Sequence, residues 1–211
     1  MTERQKEIAR ELAACARSLF QRGYSFGTAG NLSAKADGVL LISPTNSSFE
    51  DLHEESFALV ALDGAALDGP VPSKESHFHL AFYQARPEAN AVVHLHSTYA
   101  TAVACLPYYG GAEILPVYTP YFAMRIPCLP VVPYLPPGHP DLARHVREAA
   151  ERSPALLLKN HGPVTAGRTI REASALAEEL EEQARLYFLL GERGERLTPE
   201  QIAALRRRSG K

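Results

Sequence analysis

Three histidines and one glutamate are the residues of this 211-residue chain whose types and spacing suggest chemistry. His94 and His96 stand two apart in Ala91-Val92-Val93-His94-Leu95-His96, an apolar run that reads as a strand. Alternate strand residues share a face, so both imidazoles point one way while Leu95 points into the opposite layer. His161 lies in Asn160-His161-Gly162-Pro163, a sharp turn after the apolar residues 155–158, and is a natural third ligand. Three neutral ring nitrogens and one open position form the donor set of a catalytic divalent ion, zinc above all. A histidine in a strand as apolar as the one holding His94 is costly unless it is paired.

Lys74 and Glu75 follow Ser73, which reads as a helix N-cap. A carboxylate beside a metal and an ammonium can cycle between ligand, base and acid. A cation in the first turn opposes the helix dipole, which points Lys74 toward an anion, a substrate phosphate or carboxylate. His53, His77, His79, His139 and His145 read as surface or helix-face residues, with His79 packing under the site.

These residues need elements to hold them. Apolar positions recur at helical spacing over residues 5–21, and Gly23 supplies a stop. Residues 27–33 form a small polar loop, 39–42 a short strand and 43–48 a second polar loop, so two loops flank one strand. Residues 57–62 and 66–67 pair through Asp63-Gly64 as a hairpin. The helix capped by Ser73 buries Phe78, Leu80, Ala81, Phe82 and Ala85 before Arg86-Pro87 breaks it. Residues 106–140 hold most of the sixteen prolines, which predicts short strands and fixed turns there. Residues 141–151 read as a helix, and 155–158 with 164–167 as a tight hairpin carrying His161 at its tip. Thr169 caps a helix through Leu190, and residues 199–208 form a last short one. Glu178, Glu179, Glu181 and Glu182 read as a solvated helix face.

A chain of this length with 45% hydrophobic residues can bury one substantial core, so one domain over residues 1–211 is expected. The formal charge of -2 argues against nucleic acid as a partner. The three cysteines lack CxxC spacing and read as reduced, mostly core residues. No run is long enough to span a bilayer and no apolar signal block precedes residue 20, so a soluble cytoplasmic protein is expected.

Five motifs in order resemble the class II aldolase/adducin family: Gly27-Thr28-Ala29-Gly30-Asn31-Leu32-Ser33, Ser43-Pro44-Thr45, Pro72-Ser73-Lys74-Glu75, His94-Leu95-His96 and Asn160-His161-Gly162. The resemblance spans nearly the whole chain. It implies an α/β fold, a three-layer α/β/α sandwich around a largely antiparallel central sheet. It also implies Zn2+, or another divalent ion such as Mn2+ or Co2+, on His94, His96 and His161, with Glu75 catalytic and coordinating when substrate is absent. Gly30, Asn31, Thr45, Ser73 and Lys74 would lie near a substrate phosphate. A homotetramer with interfacial sites is implied, which would let Tyr121 and Arg125 reach a neighbouring site. Within the family, Ser73-Lys74-Glu75 with Thr119-Pro120-Tyr121 and Arg125 is more similar to 3-oxo-tetronate 4-phosphate decarboxylases than to fuculose-phosphate aldolases, which typically carry Ser-Ser-Glu. The resemblance therefore implies a lyase acting on a small phosphorylated sugar acid, with an aldolase or 4-epimerase as the alternative. A ketose-phosphate dehydratase and a non-catalytic adducin-like module stand further off.

Overall fold

The computed structural model describes residues 1–108 and 113–208; residues 109–112 of the proline-rich segment and the last three residues lie outside the described residues. Helix α1, Glu3–Gln21, buries Ala9, Leu12, Ala16 and Leu19 on one stripe. Thr2 and Gln5 cap it reciprocally, each side chain accepting from the other's backbone N–H. Gly23, at φ +76°, ends it.

Strands β1 (Asn31–Ala36), β2 (Val39–Ile42), β3 (Ala58–Ala61) and β4 (Ala66–Asp68) follow as successive antiparallel neighbours. The sequence reading placed Asn31, Leu32 and Ser33 in a loop, and the structure corrects this to a strand. The polar residues of β1 hid it: Asn31 and Ser33 are buried among hydrogen-bond partners, while Leu32, Ala34 and Ala36 pack in the core beside α1.

The chain then forms α2 (Ser76–Ala85), β5 (Ala91–His94), α3 (Thr98–Cys105), α4 (Pro120–Arg125), β6 (Val131–Val132), α5 (Asp141–Ala150), β7 (Ala155–Leu158), β8 (Gly162–Gly167), α6 (Ile170–Leu190) and α7 (Pro199–Arg208). The eight strands among the described residues join one sheet in the order β4-β3-β2-β1-β5-β8-β7-β6. Every pairing is antiparallel except β6 with β7. One face packs against α1, with Val93 and Leu95 pointing into that layer. The opposite face packs against α2 and α5 through Val92, Leu156, Leu158 and Val164. A third cluster joins α3, α4 and α6 over Ala155 and Leu157. The expected mixed α/β fold with a mostly antiparallel sheet and helices on both faces is what the chain adopts.

Four central strands bring their ends together. Asn31 begins β1 opposite His94 at the end of β5, and His94 in turn pairs with Val164 of β8. Ser43, just past β2, donates its N–H to Leu32, and an isolated bridge joins Pro44 to Pro72. Both small-residue loops, the segment before α2 and the His161 turn thus meet at one end of the sheet. Gly162 is required there, because a Cβ at that position would sit 2.2 Å from the Leu95 carbonyl oxygen. Gly162→Ala is expected to cost about 1–3 kcal/mol through overpacking, read as a lowered Tm; an unchanged Tm would mean the two turns do not press together.

Candidate metal centre

His94 closes β5 and is fully buried. Its Nδ1 lies 2.9 Å from the Pro163 carbonyl, which can only accept, so the ring carries its proton on Nδ1 and leaves the Nε2 lone pair free. That Nε2 lies 3.1 Å from Nε2 of His96 and 3.3 Å from Nε2 of His161. The three rings meet edge to face, with centroids 4.7–4.9 Å apart. Leu95 projects into the α1 layer between the two histidines of its motif, as strand alternation requires. Among the described residues, these three are the group of His, Cys, Asp or Glu side chains placed to share an ion.

Burial, with the neighbouring rings of His161 and His96, holds His94 well below the usual imidazole range. Burial and then His161 bring His96 down to about 4. His161 is lowered by burial and partly restored by Glu75. The rings are therefore neutral at neutral pH, the form a cation needs.

Glu75 reaches this cluster from the turn before α2. Its Oε2 lies 3.4 Å from Nε2 of His94, and its Oε1 lies 3.4 Å from Nε2 of His161. Asn31 Nδ2 donates to Oε2 at 2.7 Å, while Oε1 is buried with no hydrogen-bond partner. A buried carboxylate oxygen without a donor is costly, and beside three converging lone pairs it completes a donor set for a divalent cation. The residues present fit such an ion.

The start of α2 differs from expectation. The helix begins at Ser76, with Glu75 at the cap position and φ/ψ of -98°/4°, rather than at a Ser73 cap. Ser73 is drawn into extended pairing by its N–H bond to Ser43, and the chain must then turn, with Ser76 N–H reaching back to the Ser73 carbonyl. Lys74 therefore stands in a turn and not in the helix, so the dipole argument for it lapses. Its exposed side chain has no ion pair among the described residues.

The other expected site residues divide. Gly30, at φ +83°, lies against β5, where a Cβ would meet the His94 carbonyl at 2.7 Å. Ser73 is buried, its hydroxyl accepting the Glu75 N–H at 3.3 Å. Thr45 lies in the same loop region, its N–H already given to Val71. Tyr121 does not join them: it is 60% exposed on α4 and stacks near the Arg125 guanidinium, 5.7 Å from its ring centroid. Arg125 borders a cavity of about 960 Å³ with Gly167 and Thr169, at the far end of β8 from His161.

Three readings of side chains are corrected. Of the four α6 glutamates only Glu182 is exposed as expected; Glu178 pairs with Arg22, Glu179 accepts from Thr119, and Glu181 accepts the Tyr99 and Ala100 N–H groups at the start of α3. Glu181 thus pins the helix that follows His96, a role visible only once α3 is known. Cys105 is exposed rather than in the core. His79 is also more than packing, since its Nε2 lies 2.6 Å from Asn31 Oδ1. Its spacing of four from Glu75 on the one hand and Tyr83 on the other was the available signal.

Residues 10–188 match the family described as class II aldolase and adducin N-terminal domain. The chain belongs to that family. It is 46% identical over 204 residues to the 3-oxo-tetronate 4-phosphate decarboxylase of Escherichia coli strain K12, covering 96% of each chain. It is 37% identical over 177 residues to the L-fuculose phosphate aldolase of Methanococcus maripaludis, covering 84% of this chain and 93% of that one. The crystal structure of YgbL from Escherichia coli superposes with a TM-score of 0.92 at 44% identity, over 96% of this chain and 99% of that one. Class II aldolases are metal-dependent, and His94, His96 and His161 form a site able to hold an ion. Among the described residues no helix is long and apolar enough to cross a membrane.

The lowered histidine pKa values set a pH dependence. With His96 at about 4 in the folded chain and 6.5 as its ordinary value, the unfolded chain binds more protons in that window. Metal-free protein should lose stability as pH falls from 6.5 toward 4, and His96→Gln should flatten the decline. Thermal melts across this window check it; an equal slope in both proteins would contradict the burial argument.

Proposed function

We propose that the chain is a metal-dependent carbon–carbon lyase that converts 3-oxo-tetronate 4-phosphate to dihydroxyacetone phosphate and carbon dioxide. The observation carrying this reading is the Glu75 carboxylate, 3.4 Å from two ring nitrogens of a three-histidine cluster, in a chain 46% identical to a protein named for that reaction. His94, His96 and His161 are the proposed ligands of one Zn2+, replaceable by Mn2+ or Co2+, with Glu75 close enough to join them before substrate enters. The bound ion supplies Lewis-acid stabilisation of the negative charge that develops on the substrate.

The substrate carboxylate is β to a ketone. Cleavage of the C1–C2 bond releases carbon dioxide and leaves its electron pair at C2, delocalised into the C3 carbonyl as an enediolate. Glu75 then delivers a proton to C2, which completes dihydroxyacetone phosphate, and regains that proton from water. No base is needed to start the reaction. Lys74, exposed beside Glu75 and without an ion pair among the described residues, is assigned to the substrate carboxylate or phosphate. Gly30, Thr45 and Ser73, with Asn31 at the start of β1, are assigned to the phosphate, although the Asn31 amide nitrogen is already engaged by Glu75. We assign Tyr121 to a neighbouring subunit's site in a cytoplasmic homotetramer, since it lies away from the histidines of its own chain.

Protein with one divalent ion per chain is expected to yield carbon dioxide and dihydroxyacetone phosphate in equal amounts from the oxo acid. His94→Ala should lose the ion, and Glu75→Gln should lower kcat about 100-fold or more. Aldehyde release from a sugar phosphate, with no carbon dioxide from the oxo acid, would make the chain an aldolase. A product that keeps every carbon would make it an epimerase.

A further inference from the structure

A continuous line of buried polar groups runs behind Glu75, away from the histidine cluster. Asn31 and Ser33 occupy alternate positions of β1, and His79 and Tyr83 stand one turn apart on α2, at four and eight residues from Glu75. All four are buried. Asn31 Nδ2 is 2.7 Å from Glu75 Oε2, and Asn31 Oδ1 is 2.6 Å from His79 Nε2. His79 Nδ1 is 2.8 Å from the Ser33 hydroxyl, and Tyr83 reaches the same hydroxyl at 2.9 Å and the Ser33 carbonyl at 3.1 Å.

The direction of every bond follows from one end. A carboxylate only accepts, so Asn31 must present its NH2 to Glu75 and its oxygen to His79. That oxygen needs a donor, so His79 carries its proton on Nε2 and accepts the Ser33 hydroxyl proton at Nδ1. Burial holds His79 at about 3, so the ring stays neutral and this pattern persists. Phe78 and its neighbours close the ring off, stacking on His79 at 4.9 Å and meeting His94 edge-on at 5.5 Å.

We propose that His79 is a positioning residue: its Nε2–H fixes the Asn31 amide, which grips Glu75 Oε2 and so holds the carboxylate with Oε2 toward His94 and Oε1 toward His161. Without that donor the Asn31 side chain can rotate its oxygen toward the carboxylate, which would repel it. The kinetic consequence rests on the reading of Glu75 as the acid–base group. Ser33 and Tyr83 act one step further back, holding the imidazole in the required tautomer.

Steady-state kinetics with 3-oxo-tetronate 4-phosphate and 15N spectra of the histidine-labelled, metal-free wild type test this together. His79→Phe should lower kcat about 10–100-fold with KM little changed, and His79→Gln, which restores an N–H donor, should recover most of the loss. Because His79 acts through Asn31, adding His79→Phe to Asn31→Ala should cost little more than Asn31→Ala alone. The wild-type His79 ring should be neutral and protonated at Nε2 across about pH 5–8. Wild-type kcat in folded His79→Phe, a fully additive double mutant, or a ring protonated at Nδ1 would each overturn the proposal. If His79→Phe does not fold, the Gln variant and the wild-type spectrum still decide. A wild type without turnover but with the expected spectrum would overturn the decarboxylase reading while leaving the hydrogen-bond chain standing.

Discussion

At the end of a buried sheet, His94 Nε2 lies 3.1–3.4 Å from ring nitrogens of His96 and His161 and from the Glu75 carboxylate, and that crowding constrains the rest of the molecule. Lone pairs aimed at a common point repel, and each polar atom among them has lost its water. The fold fixes the His94 ring from behind and the His161 turn against its neighbour. The Pro163 carbonyl takes the Nδ1 proton of His94, and the His161 turn closes so tightly on Leu95 that only glycine fits at position 162. A divalent cation held by the three histidines would convert this repulsion into binding, so the cluster fits a metal site better than a defect of packing.

An antiparallel sheet suits this task. Neighbouring strands run in opposite directions, so the start of β1, the end of β5 and the start of β8 meet at one edge and supply Asn31, His94 and the His161 turn together. The α2 layer then brings Glu75, His79 and Tyr83 down onto the same face at four-residue spacing. On the opposite face α1 and other apolar residues pack against Val93 and Leu95. The cost of burying Asn31, Ser33, His79 and Tyr83 is met by pairing them with one another, and the Glu75 oxygen left without a hydrogen-bond partner is Oε1, beside His161.

Much of this was legible from residue patterns. His94 and His96 at strand spacing, the turn at His161, the helix over residues 170–190 and the hairpins all follow from local periodicity and turn chemistry, and the ordered motifs pointed to the family. The misses have a common physical cause. Strand β1 carries Asn31 and Ser33 on its inner face, so its alternation looked like a polar loop; helix α3 is short and capped by Glu181 from a distant helix; and Glu178, Glu179 and Glu181 meet partners 60–156 residues away. Contacts over such separations leave no local trace. The onset of α2 was misplaced because the pairing of Ser73 with Ser43 competes with its role as a cap.

Family membership and the geometry meet on one physical statement: the histidines are held neutral by burial so that a divalent ion binds without first displacing protons. Calorimetric titration of Zn2+ into metal-free protein at pH 7, in buffers of different ionisation enthalpy, tests it directly. The account predicts one ion per chain with release of at most one proton. Failure to bind, or release of two or more protons, would contradict it.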